Sequence, residues 1–82
     1  MTVEQFLLGH LTSSGMFESQ ATATLQLLKD EPNDRALAEV LGKSVDDYPT
    51  AFKAVAIMTV NRHAVRYIDR NCPQAWFRPM FG

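Results

Sequence analysis

His10, His63 and Cys72 have the strongest claim to metal or nucleophilic chemistry in this sequence. A zinc site needs such ligands a few residues apart, on one helix face or one tight loop, so that they converge on one ion. No two of the three stand at that spacing. Asp46 and Asp47 could add oxygen ligands, but adjacent side chains on a helix diverge. No metal and no cofactor are therefore expected. His10 reads as a half-buried interior histidine and His63 as a member of a polar helix face. Nor is catalysis expected: no nucleophile has a nearby base in sequence and no glycine-rich loop could cradle phosphate. The acidic pairs already have helix-start or turn positions to explain them.

A second group with chemical potential is the row Arg62, Arg66 and Arg70, at intervals of four. On a helix it spans an arc of about 80°. The preferred reading is plain: cations near a helix C-terminus complement its dipole, and Asp69 offsets part of their charge. The sharper alternative is that the guanidinium forks meet phosphates or an acidic protein surface. Beyond the row, Trp76, Phe77, Met80 and Phe81 crowd four large apolar groups into the last seven residues, with Arg78 among them. Left in water, Trp and Phe would each expose some 150–250 Å². The tail is therefore expected to be ordered, first as a lid on a small core, and alternatively as an anchor for a second chain. The candidate partner-binding residues are Arg62, Arg66, Arg70, Trp76, Phe77, Arg78, Met80 and Phe81.

These groups must be positioned by one domain. The chain has 82 residues, which bury only roughly 60–65% of their unfolded surface and cannot serve two cores. With 46% hydrophobic and 21% charged residues, the composition is that of a globular chain rather than a disordered one. Cys72 is the single cysteine, so no internal disulfide forms and stability rests on packing. No apolar run is long enough for a membrane span, and the first residues lack signal-peptide character. A cytoplasmic location is expected. The net charge of −1 conceals a division: residues 1–52 carry three basic against eight acidic groups, residues 53–82 five against one. Mutual neutralisation within the fold is the preferred reading of that split, and the overall balance argues against nonspecific DNA binding.

Hydrophobic period predicts an all-α bundle of three to four helices around one long C-terminal helix, followed by a nonhelical aromatic tail over residues 72–82. Thr2 and Gln5 form a capping box for a first helix to about Ser13, with Val3, Phe6, Leu7, His10 and Leu11 on one face and Gly15 as the stop. A second helix is expected over about Phe17–Lys29, with Phe17, Ala21, Thr24, Leu25 and Leu28 in its stripe. A short third helix covers about Arg35–Leu41, buried through Ala36, Leu37, Val40 and Leu41 and ended by a left-handed Gly42. The dense start signal Ser44-Val-Asp-Asp-Tyr-Pro49 opens a fourth helix that runs to about Asn71. From Ala51 to Val60 it is apolar nearly all round, which predicts cover on several sides. Further along, Ile57, Asn61, Ala64, Val65 and Ile68 are assigned to the inner face, and Arg62, His63, Arg66 and Arg70 to the outer.

Arg62-His63-Ala64, Ile68-Asp69 and the string Pro73-Gln-Ala-Trp-Phe-Arg-Pro-Met-Phe81 resemble small proteins encoded by tailed phages and prophages, with weaker similarity around Gly15-Met16-Phe17-Glu18 and Tyr48-Pro49. That group has no assigned activity, so the resemblance implies a phage setting in a bacterial host and carries no functional residue across. Together these readings point to a non-enzymatic protein-interaction module, a phage or prophage accessory protein that binds a host or phage protein, with self-association open. The alternative is a nucleic-acid-associated regulator using the arginine row.

Overall fold

The computed structural model describes residues 1–71, and over them the chain is all-α. Helix α1 covers Val3–Ser13, α2 Glu18–Asp30, α3 Arg35–Glu39 and α4 Thr50–Asn71, with 3₁₀ turns at Pro32–Asp34 and Val45–Asp47. No helix among the described residues is long and apolar enough to cross a membrane. The expected ordered tail, with Trp76, Phe77, Arg78, Met80 and Phe81, lies outside the described residues.

Helix α1 starts as its capping box requires: Gln5 N–H donates to Thr2 Oγ1 and Thr2 N–H to Gln5 Oε1. Two further first-turn donors find carbonyls across the fold, Val3 N–H on Lys43 at 2.8 Å and Glu4 N–H on Leu41 at 2.9 Å. These bonds tie the 41–45 segment to the start of α1 and supply partners that a helix N-terminus otherwise lacks. The helix stops at Gly15, whose φ of +108° suits a residue without Cβ.

Helix α2 begins one residue later than expected. Phe17 takes the N-cap position with extended backbone, its N–H bonded to the Gln20 side chain, and its ring is 67% exposed rather than part of the buried stripe. Ala21, Thr24, Leu25 and Leu28 are buried as the period requires, and the Thr24 hydroxyl donates back to the Gln20 carbonyl.

Helix α3 is a single turn and a half. Gly42 does not adopt a left-handed conformation; Val40, Leu41 and Lys43 instead bond back three residues, to Leu37, Ala38 and Val40. Tightening by 3₁₀-type bonds satisfies the final carbonyls without a glycine cap. Of its expected buried side Leu41 is buried, Leu37 and Val40 are partly so, and Ala36 is exposed.

Ser44 caps the Val45–Asp47 turn through Asp46 N–H rather than opening α4. Helix α4 then begins at Thr50, with the Pro49 carbonyl accepting from Lys53 N–H. Tyr48 and Phe52 stack at 4.3 Å between ring centroids across this junction. Helix α4 packs chiefly on α2 and next on α1. Val3, Leu7 and Leu11 of α1, Leu25 and Leu28 of α2, Leu41 and Val45, and Ala56, Val60, Ala64 and Ile68 of α4 form one core.

The packing of α4 departs from expectation in two ways. The described residues do not surround its first half: Val55 and Met58 are 61% and 70% exposed, and Ala51 and Ala54 are exposed too. Among the described residues, α1, α2 and the short α3 pack on one side of this 22-residue helix and none of them reaches the other. The buried face is also turned by roughly a quarter of a revolution from the one periodicity selects. His63, assigned to the polar face, is buried at 3% exposure, while Val65, assigned to the inner face, is 45% exposed and Asn61 is exposed. Ile57 is only partly buried. A partner across the fold makes the burial of His63 tolerable.

Candidate functional site

That partner is Asp34. Its carboxylate lies at the end of the Pro32–Asp34 turn, in the N-cap position of α3, yet makes no capping bond there. It turns instead to α4, where His63 Nε2 donates to Oδ2 at 2.7 Å and Arg62 Nη2 reaches Oδ2 at 3.1 Å and Oδ1 at 3.3 Å. An ionised carboxylate has no proton to give, so Nε2 carries the hydrogen of the His63 bond. That bond holds the Asp34 carboxyl below its ordinary value; partial burial opposes it, and the hydrogen bond and charge of Arg62 add to it, with the charge of His63 a smaller contribution. The cluster fastens the loop before α3 to the middle of α4.

A second tie lies on the opposite flank, where His10 Nε2 donates to Asn61 Oδ1 at 2.9 Å and joins α1 to α4. His10 is half-buried, as its place on α1 led one to expect. Lys29 and Glu4 form an exposed pair at 3.1 Å between α2 and α1. Together with Arg62–Asp34 it shows acidic groups of the first half meeting basic groups within the fold, in part across the charge division.

The three arginines do not form one equivalent row. Arg62 is engaged with Asp34, although its side chain remains 54% exposed. Arg66 and Arg70 are exposed and make no ion pair among the described residues. Arg66 borders two open clefts. One, of about 310 Å³, is lined also by Glu31, Asn33, Asp34 and Arg62. The other, of about 130 Å³, is lined also by Leu27, Glu31, His63 and Arg70. Glu31 in both clefts lowers the positive potential that an anion would need. Across α4 from the arginines, a third cleft of about 410 Å³ lies between α1 and α4 over Phe6, Gly9, His10 and Ile57.

Among the described residues no group of three His, Cys, Asp or Glu is placed to hold a metal ion, and every buried side-chain nitrogen or oxygen has a hydrogen-bond partner. What distinguishes the surface is the outer face of α4. Taking 100° per residue, Ala51, Val55, Met58, Arg62, Val65 and Asp69 share it, and all six are exposed. Arg66 and Arg70 run along one flank. Sequence periodicity missed this face because it scores Val55, Met58 and Val65 as core candidates; the signal that could have found it is the alternating spacing of four and three residues along all six positions of the face. Asp34 and His63 stand 29 residues apart, and nothing local in the sequence joins them.

Comparison with protein-family models, with curated proteins and with solved structures finds no match to the chain.

Proposed function

We propose that the chain is a non-enzymatic protein-interaction module whose contact surface is the outer face of α4. One observation carries this reading: Val55, Met58 and Val65 are held in solvent on a helix whose other face is anchored in the core, beside two arginines without an ion-pair partner among the described residues. Large apolar side chains clustered in water mark contact surfaces, and arginine is enriched at interface centres. The ties to Asp34 and His10 hold α4 in place on both flanks, so the face is presented ready-made and binding need not order it. The setting we propose is the cytoplasm of a bacterial host, as a phage or prophage accessory protein acting on a host or phage protein. The resemblance of the C-terminal string supports that setting.

The test is capture from host cells during infection with the full chain as bait, beside Met58→Glu and Arg66→Glu/Arg70→Glu variants. A partner retained by the parent and lost by both variants is the expected result. Equal retention by all three would refute the assignment of the surface. If the retained species is nucleic acid, and affinity falls steeply with salt, the arginine row serves as a phosphate contact and the regulator reading replaces this one.

A further inference from the structure

The exposed face of α4 has a pattern that narrows what can cover it. Ala51, Val55, Met58, Arg62, Val65 and Asp69 follow one another at intervals of four, three, four, three and four residues. That is the 3.5-residue repeat of a coiled-coil seam, here about 27 Å long, on a helix whose opposite side is already buried. A seam is built to meet another helix, and the question is which helix complements this one.

The seam complements itself when reversed. Laid antiparallel and centred at residue 60, two copies put Val55 against Val65, Met58 against Arg62 and Ala51 against Asp69, every layer occurring twice by symmetry. Antiparallel pairs alternate the two seam positions across each layer, and this register does so at all six layers. Apolar side chains fill the Val55–Val65 layers. The aliphatic stem of Arg62 lies over Met58 while its head stays with Asp34. Asp69 arrives beside Ala51, at the N-terminus of the other α4, where the helix dipole favours a carboxylate. Arg70 comes beside the exposed Asp46 and Asp47 that precede the other helix. The acidic first half and basic last part of the chain thus meet between copies as well as within one.

A parallel pair keeps apolar layers at Val55, Met58 and Val65 but loses the charge complementarity. It sets Arg62 against Arg62 and Asp69 against Asp69 in the seam, and like charges directly opposed are unfavourable. We infer that a second copy of this chain covers the outer face of α4, as a twofold antiparallel pair with Val55 facing Val65. This rests on the reading of that face as a protein contact surface and names its occupant. A single helix-to-helix contact is at the small end of specific interfaces, so the dimer forms with a dissociation constant of about 10⁻⁵–10⁻³ M.

The test uses the full chain with Cys72→Ser to remove the native thiol. Sedimentation equilibrium between about 10 μM and 1 mM should show a monomer–dimer equilibrium, and Met58→Glu should weaken it by about tenfold or more. Under mild oxidation Val55→Cys/Val65→Cys should become a covalent dimer, while each single cysteine variant stays largely uncrosslinked, because residue 55 meets 65 and not itself. Efficient crosslinking of each single variant would mean a parallel pair and overturn the proposal. A monomer at every concentration overturns it too, and two further readouts then say what covers the face. If Met58→Glu also lowers the melting temperature of that monomer by several degrees, a segment of the same chain lies there. If Met58→Glu melts normally but loses a captured host or phage protein, the occupant is a different protein, and the functional reading stands without this inference.

Discussion

Removing the Asp34 carboxylate isolates a buried histidine, and the cost follows from the geometry. His63 is 3% exposed in the parent, and in Asp34→Ala its Nε2 hydrogen loses the partner it has there. Leaving a buried polar group unsatisfied costs about 1–3 kcal/mol. The Arg62 link adds less than about 1 kcal/mol, since that side chain is 54% exposed and screened by solvent. The expected loss is about 2–3 kcal/mol, which for a domain of this size lowers Tm by about 8–20 °C. Thermal and urea unfolding followed by circular dichroism at pH 7 would measure it. Glu4→Ala is the internal control: it removes an ion pair with both side chains 39% exposed, and should change stability by less than about 1 kcal/mol. The double variant Asp34→Ala/His63→Leu should recover much of the loss, because replacing both partners leaves nothing unsatisfied. A loss below about 0.5 kcal/mol in Asp34→Ala, the range of ordinary surface sites, would refute the claim that this cluster fastens the loop to α4. So would strict additivity of the Asp34→Ala and His63→Leu effects, since contacting groups must show coupling.

The same carboxylate sets a pH dependence. Its folded-state pKa is lowered, by the His63 hydrogen bond first, so its contribution is complete above the unfolded value near 3.9 and is lost as pH falls through the lower folded value. As pH falls below about 4 the parent should therefore lose stability more steeply than Asp34→Asn in acid titrations of the melting transition, and parallel curves would count against the assignment. Two glycines should respond oppositely to alanine. At Gly15 no atom would obstruct a Cβ, but φ is +108°, so Gly15→Ala should destabilise by about 1–2 kcal/mol through backbone strain alone; at Gly9, exposed within α1 with open space around it, Gly9→Ala should stabilise by about 0.4–1 kcal/mol. Denaturant midpoints for the pair decide both, and a neutral Gly15→Ala would show that the α1 stop does not depend on glycine.

What sequence alone determined is what local chemistry encodes. The capping box at Thr2 and Gln5, the glycine stop at 15, the buried positions Leu7, Leu11, Leu25 and Leu28, and the extent of α4 from its proline start all follow from bonds and packing within a few residues of one another. So does the all-α character, since four amphipathic segments with such signals admit little else. Tertiary structure decided how α4 is rotated and therefore what its surface offers. Hydropathy ranks Val65 as core and His63 as surface, and the reverse holds because Asp34, 29 residues away, supplies the partner that burial of an imidazole demands. Once His63 turns inward, Val65 and Met58 must turn outward with it, since one rigid helix carries all three. The arginine row was legible as a row, but its division into Arg62, committed to Asp34, and Arg66 and Arg70, left open, depends on where a distant loop folds back. Side chains that are polar or apolar by type become core or contact surface only when a second element arrives to cover or pair them. Among the described residues the elements of this fold cover one side of α4, and that selection leaves the opposite side as a seam.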